Sequence, residues 1–155
     1  MSSSVFMQSM EVIQTRIRAL SLTDIPSANV LIQKVPRDLA EDLPATTPFP
    51  CILIAPVGAE TLDPRAGTNL SHDIVYPINI VMLDADQSNQ TLHFDRNLYW
   101  REQIVRKLHH CNMGLTMVRN CTITPGTIVD PGGWTRGKFI GGLRAMVTSR
   151  ERRIA

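Results

Sequence analysis

Ser71-His-Asp-Ile-Val-Tyr-Pro-Ile-Asn-Ile-Val-Met-Leu83, followed by Asp84-Ala-Asp-Gln-Ser-Asn89 and then by Leu92 to His110, is the stretch that decides the fold. In the first segment Ile74, Tyr76, Ile78, Ile80 and Met82 fall on one face, and Asp73, Pro77 and Asn79 fall on the other. That period of two is a strand with one buried face. Pro77 removes a ladder donor, so a sheet edge or a bulge is expected there. Past the polar turn the period changes to 3.6. Phe94, Leu98, Arg101, Val105 and Leu108 then form a helical stripe, with Trp100 and Ile104 flanking it and Arg96, Arg106 and Lys107 on the outer side.

Working outward, Phe6, Met10, Ile13, Ile17 and Leu20 repeat at helical spacing. Serines at positions 2 to 4 supply an N-cap, and Asp24-Ile-Pro26 ends the helix. Asn29–Val35 reads as a short strand stopped by Pro36, and one helical turn is allowed around Arg37–Asp42. Cys51-Ile-Leu-Ile-Ala55 is apolar on both faces, as a buried central strand would be. Val57–Leu70 and Pro125–Gly137 read as long loops rich in Gly and Pro. Leu115–Thr124 is a strand, and Thr127–Asp130 is read as a short one. Lys138–Arg150 closes the sheet as an edge strand. Phe139, Gly141, Leu143, Ala145 and Val147 occupy one of its faces, Lys138, Arg144, Thr148 and Arg150 the other, and Gly141-Gly142 marks a bulge or bend. The fold class is therefore α+β: a single domain over residues 1–155, with a mixed, mainly antiparallel sheet of four to five strands, two flanking helices and a basic tail at 150–155.

The chain has 155 residues, of which 43% are hydrophobic, enough for one real core. A net charge of +2 with 19% charged residues makes no strong electrostatic demand for nucleic acid or membrane. Aromatics at 5% argue against a base-stacking platform. No apolar run is long enough to span a bilayer, and the N-terminus lacks the basic start and apolar stretch of a signal peptide. A cytosolic fold is expected. Cys51, Cys111 and Cys121 are odd in number and lack paired spacing, so they are read as reduced thiols packed as small hydrophobes.

No motif for catalysis survives inspection. Gly132-Gly-Trp-Thr-Arg-Gly137-Lys138-Phe139 has the glycine and lysine spacing of a phosphate loop. Phe139 stands where the magnesium-binding hydroxyl belongs, however, and the following residues alternate as a strand rather than opening a helix. His109-His110-Cys111 presents adjacent side chains about 100° apart on a helix, which converge poorly on one ion, and His93 lies about four turns away. Asp84/Asp86 and Glu41/Asp42 sit in turns, where carboxylates cap backbone amides and stay solvated. No cofactor and no metal is expected. Arg144, Arg150, Arg152 and Arg153 are the one patch with an arguable purpose. They either keep an edge strand soluble or contact a neighbouring subunit or DNA phosphates.

The order of helix, strand, long gap, strand, helix and closing strands covers nearly the whole chain. It resembles that of the tail-terminator and tail-completion (head–tail joining) proteins of long-tailed bacteriophages. The helix at 6–20, the loop at 57–70, the strand at 71–83, Asn97-Leu-Tyr-Trp-Arg-Glu-Gln-Ile-Val105 and the Arg-Glu-Arg-Arg tail at 150–153 carry the resemblance, which is one of layout. It implies a structural virion protein, made in the bacterial cytoplasm, that caps the tail tube as a homo-oligomeric ring, most often a hexamer. Such a ring joins the tube protein to the head connector, lets DNA pass through its lumen, and has no enzymatic activity. On that reading Asp63, Arg65, Trp134 and Arg136 in the two loops, with Lys138, Arg144, Arg150, Arg152 and Arg153, face an interface or the lumen. A small nucleic-acid-binding or other protein-interaction module is the alternative, and a small enzyme the third reading.

Overall fold

The computed structural model describes residues 3–33, 47–68, 70–85, 90–135, 139–152 and 154, with backbone alone at 64–68, 90–91 and 134–135. Among them are helix α1 (Val5–Arg18), strands β1 (Val30–Ile32), β2 (Cys51–Pro56), β3 (Thr61–Thr68) and β4 (Ser71–Asp84), helix α2 (Gln90–Leu108), strand β5 (Val118–Pro125), the short helix α3 (Pro131–Thr135) and strand β6 (Phe139–Arg152). The six strands form one mixed sheet in the order β1-β2-β4-β6-β5, with β3 also paired to β4; only the β1–β2 pair is parallel. The α+β class holds, with one strand more than the sequence suggests.

Both long helices lie on the same face. Ser4 caps α1, its hydroxyl accepting from the Met7 amide at 3.2 Å. The helix lays Met10, Ile13 and Ile17 against Ile52 and Ile54 of β2 and Ile78, Ile80 and Met82 of β4. From α2 the same core receives Trp100, Ile104 and Leu108, and from β6 Leu143, Ala145 and Val147. The strand faces read from the alternation at 71–83 and 139–147 are thus the observed ones. The stripe on α2 is rotated from the expected one: its buried line runs His93, Asn97, Trp100, Ile104, Leu108, while Phe94 is exposed and Leu98 and Arg101 are only half-buried. Two polar residues take the inner line because the sheet meets them with polar groups and with a glycine, as described below.

Four other expectations are corrected. Val57–Leu70 is not a loop: it contains β3, paired antiparallel to β4 from Thr61↔Val75 to Thr68↔Ser71. The register steps from Asp63↔Asp73 to Gly67↔His72, so Pro64, Arg65 and Ala66 are skipped in a bulge where the missing proline donor costs no ladder bond. Pro77 lies neither at an edge nor in a bulge, for β4 is central. It sits where β2 ends (Pro56↔Ile78) and β3 begins (Thr61↔Val75), and its carbonyl accepts from Val57 N at 3.2 Å. Strand β6 is interior, between β4 and β5, so its arginines stand on a sheet face rather than along an edge. Thr127–Asp130 forms no strand; its backbone binds β6 through Gly142 N to Thr127 O (2.8 Å) and Asp130 N to Ile140 O (3.0 Å), and α3 follows within the expected loop 125–137. The turn expected around Arg37–Asp42 lies outside the described residues.

Candidate functional site

On the sheet face away from the long helices, the β4–β6 register sets Leu83 opposite Ile140, Val81 opposite Gly142 and Asn79 opposite Arg144. One end of this face is apolar: Cys51, Leu53, Val81 and Leu83 are buried together, with Ile140 beside them. Beyond Val81 the face turns polar and opens into a groove of about 510 Å³. Its floor is Gly142, where a Cβ would meet nothing within 4 Å. Asn79 and Arg144 close one end, and the segment Thr124–Thr127 with Asp130 makes the wall. Arg144 is exposed, and neither it nor Asn79 has a side-chain partner among the described residues.

That wall is held from behind. Gly126 N donates to Gly142 O at 3.1 Å, and a Cβ on Gly126 would lie 2.9 Å from that oxygen, so only glycine lets the chain come this close. Arg101 of α2 donates to Gly142 O (2.7 Å), Gly126 O (2.8 Å) and Thr127 O (3.2 Å). Burial holds its guanidinium below the ordinary value, and all three acceptors are neutral carbonyls. A half-buried cation without a carboxylate is an expensive way to fasten a loop, and the groove's shape depends on it. One turn earlier on α2, Asn97 is fully buried over Gly141, and neither its amide nitrogen nor its oxygen has a hydrogen-bond partner among the described residues. A Cβ at Gly141 would come within 2.8 Å of the Asn97 oxygen and 3.0 Å of Ile128 O.

The sheet edges differ. The β5 edge is closed by the end of α2: His110 N donates to Cys121 O at 2.8 Å, and His109 Nδ1 accepts from Ile123 N at 3.0 Å. His109 must therefore carry its neutral-state proton on Nε2. At β1, Gln14 and Arg18 both donate to Val30 O, at 2.8 and 3.0 Å. Among the described residues strand β3 pairs with β4 alone, and its hairpin exposes two large apolar side chains, Leu62 (61%) and Leu70 (73%). At the base of this hairpin Arg150 grips Asp73 with two bonds, Nε to Oδ1 at 2.6 Å and NH2 to Oδ2 at 2.8 Å. The bidentate contact holds the Asp73 carboxyl below its ordinary range.

Asp84 is not a solvated turn residue as expected. It is buried at the end of β4, with Oδ1 accepting from Ala85 N (2.9 Å) and Oδ2 meeting His93 Nδ1 (2.6 Å) and the Arg96 guanidinium. Arg96 also holds Asp24 at 2.8 Å and stacks over Trp100, whose Nε1 donates to Thr23 O at 2.9 Å. An Asp–His contact invites a general-base reading, yet both Asp84 oxygens are engaged and the group ties the start of α2 to β4 and to the 23–24 turn. A structural tether is the better account. No group of three or more potential metal ligands occurs among the described residues. Burial pushes the Cys51 thiol up to about 11 and Cys121 to about 12, which leaves both inert as nucleophiles at neutral pH.

The residues singled out from the sequence therefore do not form one patch. Arg144 lies in the groove. Arg150, half-exposed, is neutralised by Asp73, and Arg152 is exposed opposite Ser71, eight residues or about 26 Å along β6 from Arg144. Asp63 is exposed on β3, opposite Asp73. Arg65 is in the β3 bulge and Trp134 in α3, with side chains outside the described set; Arg136, Lys138 and Arg153 lie outside the described residues altogether. Sequence reasoning missed Asn79, Thr124, Arg101 and Asp130. The one available signal was Gly141-Gly142 inside a clean strand, which marks a close approach as readily as a bulge. No family model matches the chain, and a search of curated proteins returns no relative.

Proposed function

We propose that this protein is a structural assembly subunit, a tail terminator that closes as a ring on the end of a phage tail tube and joins it to the head connector. The observation that carries the reading is the β3–β4 hairpin. Among the described residues its outer strand pairs on one side only, and the hairpin exposes Leu62 on that strand and Leu70 in the turn, whereas the β1 and β5 edges are tied down by neighbouring helices. Apolar side chains beside an open strand edge suit contact with another protein. A hairpin that docks on a different surface of the next copy makes a heterologous interface, which repeats into a ring when the rotation closes. The resemblance in layout adds the tail tube and head connector as partners, six as the subunit number, and a lumen for DNA. A nucleic-acid-binding module is less well supported, because Arg144 and Arg152 stand about 26 Å apart and Arg150 is spent on Asp73.

The test adds the protein to polymerising tail tubes and images their ends. Capped tips, halted growth and a ring by native mass measurement are expected, all lost in Leu70→Glu. Unaltered tube ends together with a strict monomer at high concentration would overturn the reading in favour of the binding module.

A further inference from the structure

We propose that the groove on the outer sheet face receives an extended, acidic segment of a partner protein, one carboxylate of which pairs with Arg144. The inference does not rest on ring closure, because it concerns a different surface from the β3–β4 hairpin.

Three observations support it. The first is an unused cation. Arg96 and Arg150 hold carboxylates, and Arg18 and Arg101 hold backbone carbonyls. Arg144 holds nothing among the described residues, and it stands at the end of a concavity rather than on a convex surface. A guanidinium presents a planar fork that a carboxylate fills with two bonds.

The second is preorganisation. Gly142 keeps the floor bare, with nothing within 4 Å of a Cβ. The wall is fixed to β6 by Gly126 N to Gly142 O and Gly142 N to Thr127 O, and Arg101 fastens it from the helix side. A recess built before its occupant arrives spares the ordering cost of binding.

The third is length. From Ile140 to Arg144 the groove follows four residue steps of β6, about 13 Å, which suits several residues of extended chain and is too long for one inorganic anion. Strand addition is excluded at this place, because β4 and β6 are paired to each other throughout and both are interior. Side chains must therefore recognise the occupant. Asn79 and Thr124 flank Arg144 as neutral hydrogen-bonding groups. Asp130 stands toward the Ile140 end, its Oδ2 accepting from Gly133 N at 2.6 Å. A carboxylate is attracted at the Arg144 end and repelled at the Asp130 end, so the segment binds in one direction.

The probe is a dye-labelled, N-acetylated hexapeptide of alternating Glu and Ser, since alternation puts every carboxylate of an extended chain on one face. Fluorescence anisotropy should show saturable binding that weakens with salt. Arg144→Gln should weaken it at least about tenfold, as loss of a charge-assisted pair does. Gly142→Val, which fills the floor, should weaken it similarly. Arg144 is exposed, so its substitution should leave the thermal midpoint in place and carries the test even if Gly142→Val folds poorly. A Lys-Ser hexapeptide should not bind, and neither inorganic phosphate nor free glutamate should displace the probe at equal anion concentration. Absence of saturable binding, binding indifferent to Arg144→Gln, or equal displacement by phosphate or glutamate would each overturn the proposal.

Discussion

Gly141 and Gly142 are neighbours on β6 and face opposite ways. A methyl group on the first would strike the Asn97 oxygen and the Ile128 carbonyl, while one on the second would meet nothing. The same contrast extends over the whole sheet. The inner face is filled: Ile52, Ile54, Ile78 and Ile80 are buried without remainder under Trp100 and Ile104. The outer face is apolar and covered near Leu83, then bare and polar from Gly142 to Arg144. A sheet with its two long helices on one side has a face they leave uncovered, and here that face carries a shaped recess. The inner face secures the fold, and the outer face is free for contact because the fold does not need it.

Four measurements can break or sharpen this contrast, and the largest effect belongs to the inner side's polar tether. Asp84→Ala leaves Arg96 and His93 without their shared carboxylate and should destabilise the protein by about 3–5 kcal/mol in urea unfolding, as breaking a buried pair does. A loss under about 1 kcal/mol would mean the tether contributes little. Ile80→Ala should cost about 2–5 kcal/mol, because Ile80 is fully buried in the core. If its unfolding midpoint matched wild type, the filled face would be the wrong one.

The paired glycines come next. Gly141→Ala should cost about 1–3 kcal/mol through overpacking, and less in the Asn97→Ala background, where the clashing oxygen is gone. Gly142→Ala should be neutral or stabilise by about 0.4–1 kcal/mol, since the unfolded chain loses freedom and the folded one loses no space. Equal effects at the two positions would erase the distinction between faces.

The smallest effect is one of pH. Arg150 lowers the Asp73 carboxyl in the folded state, so this pair contributes stability above the ordinary carboxylate pKa, and the contribution is lost as pH falls through the folded value. Arg150→Gln should raise the Asp73 pKa toward its ordinary value in an NMR titration. The stability difference between the variant and wild type should shrink below about pH 4. An Asp73 titration indifferent to Arg150 would show that the two-bond fork is not kept in solution.

How much was legible follows from the range of each interaction. Strong two-residue alternation at 74–82 and 139–147 predicted which side chains are buried, since strand geometry leaves no other choice once one face is apolar. On α2 the helical period was right and the stripe was not. A helix with bulky residues all round can turn, and the sheet below chose the line through His93 and Asn97 by offering Asp84 and Gly141. Strand β3 was hidden because Pro64 and Gly67 read as breakers, and only the pairing with β4 shows that a bulge absorbs them.

By itself, then, the sequence determined the two long helices, the central strands with their buried faces, and the absence of paired cysteine spacing, all properties set by local period and composition. Only tertiary structure decided that β6 is interior, that Arg150 is neutralised by a residue 77 positions away while Arg144 has no partner among the described residues, and that Arg101 fastens a loop 25 residues distant to make a groove. Those facts depend on register and on which chain segments meet across the sheet. Long-range pairing of this kind is a property of the whole packed molecule, and no window of sequence contains it.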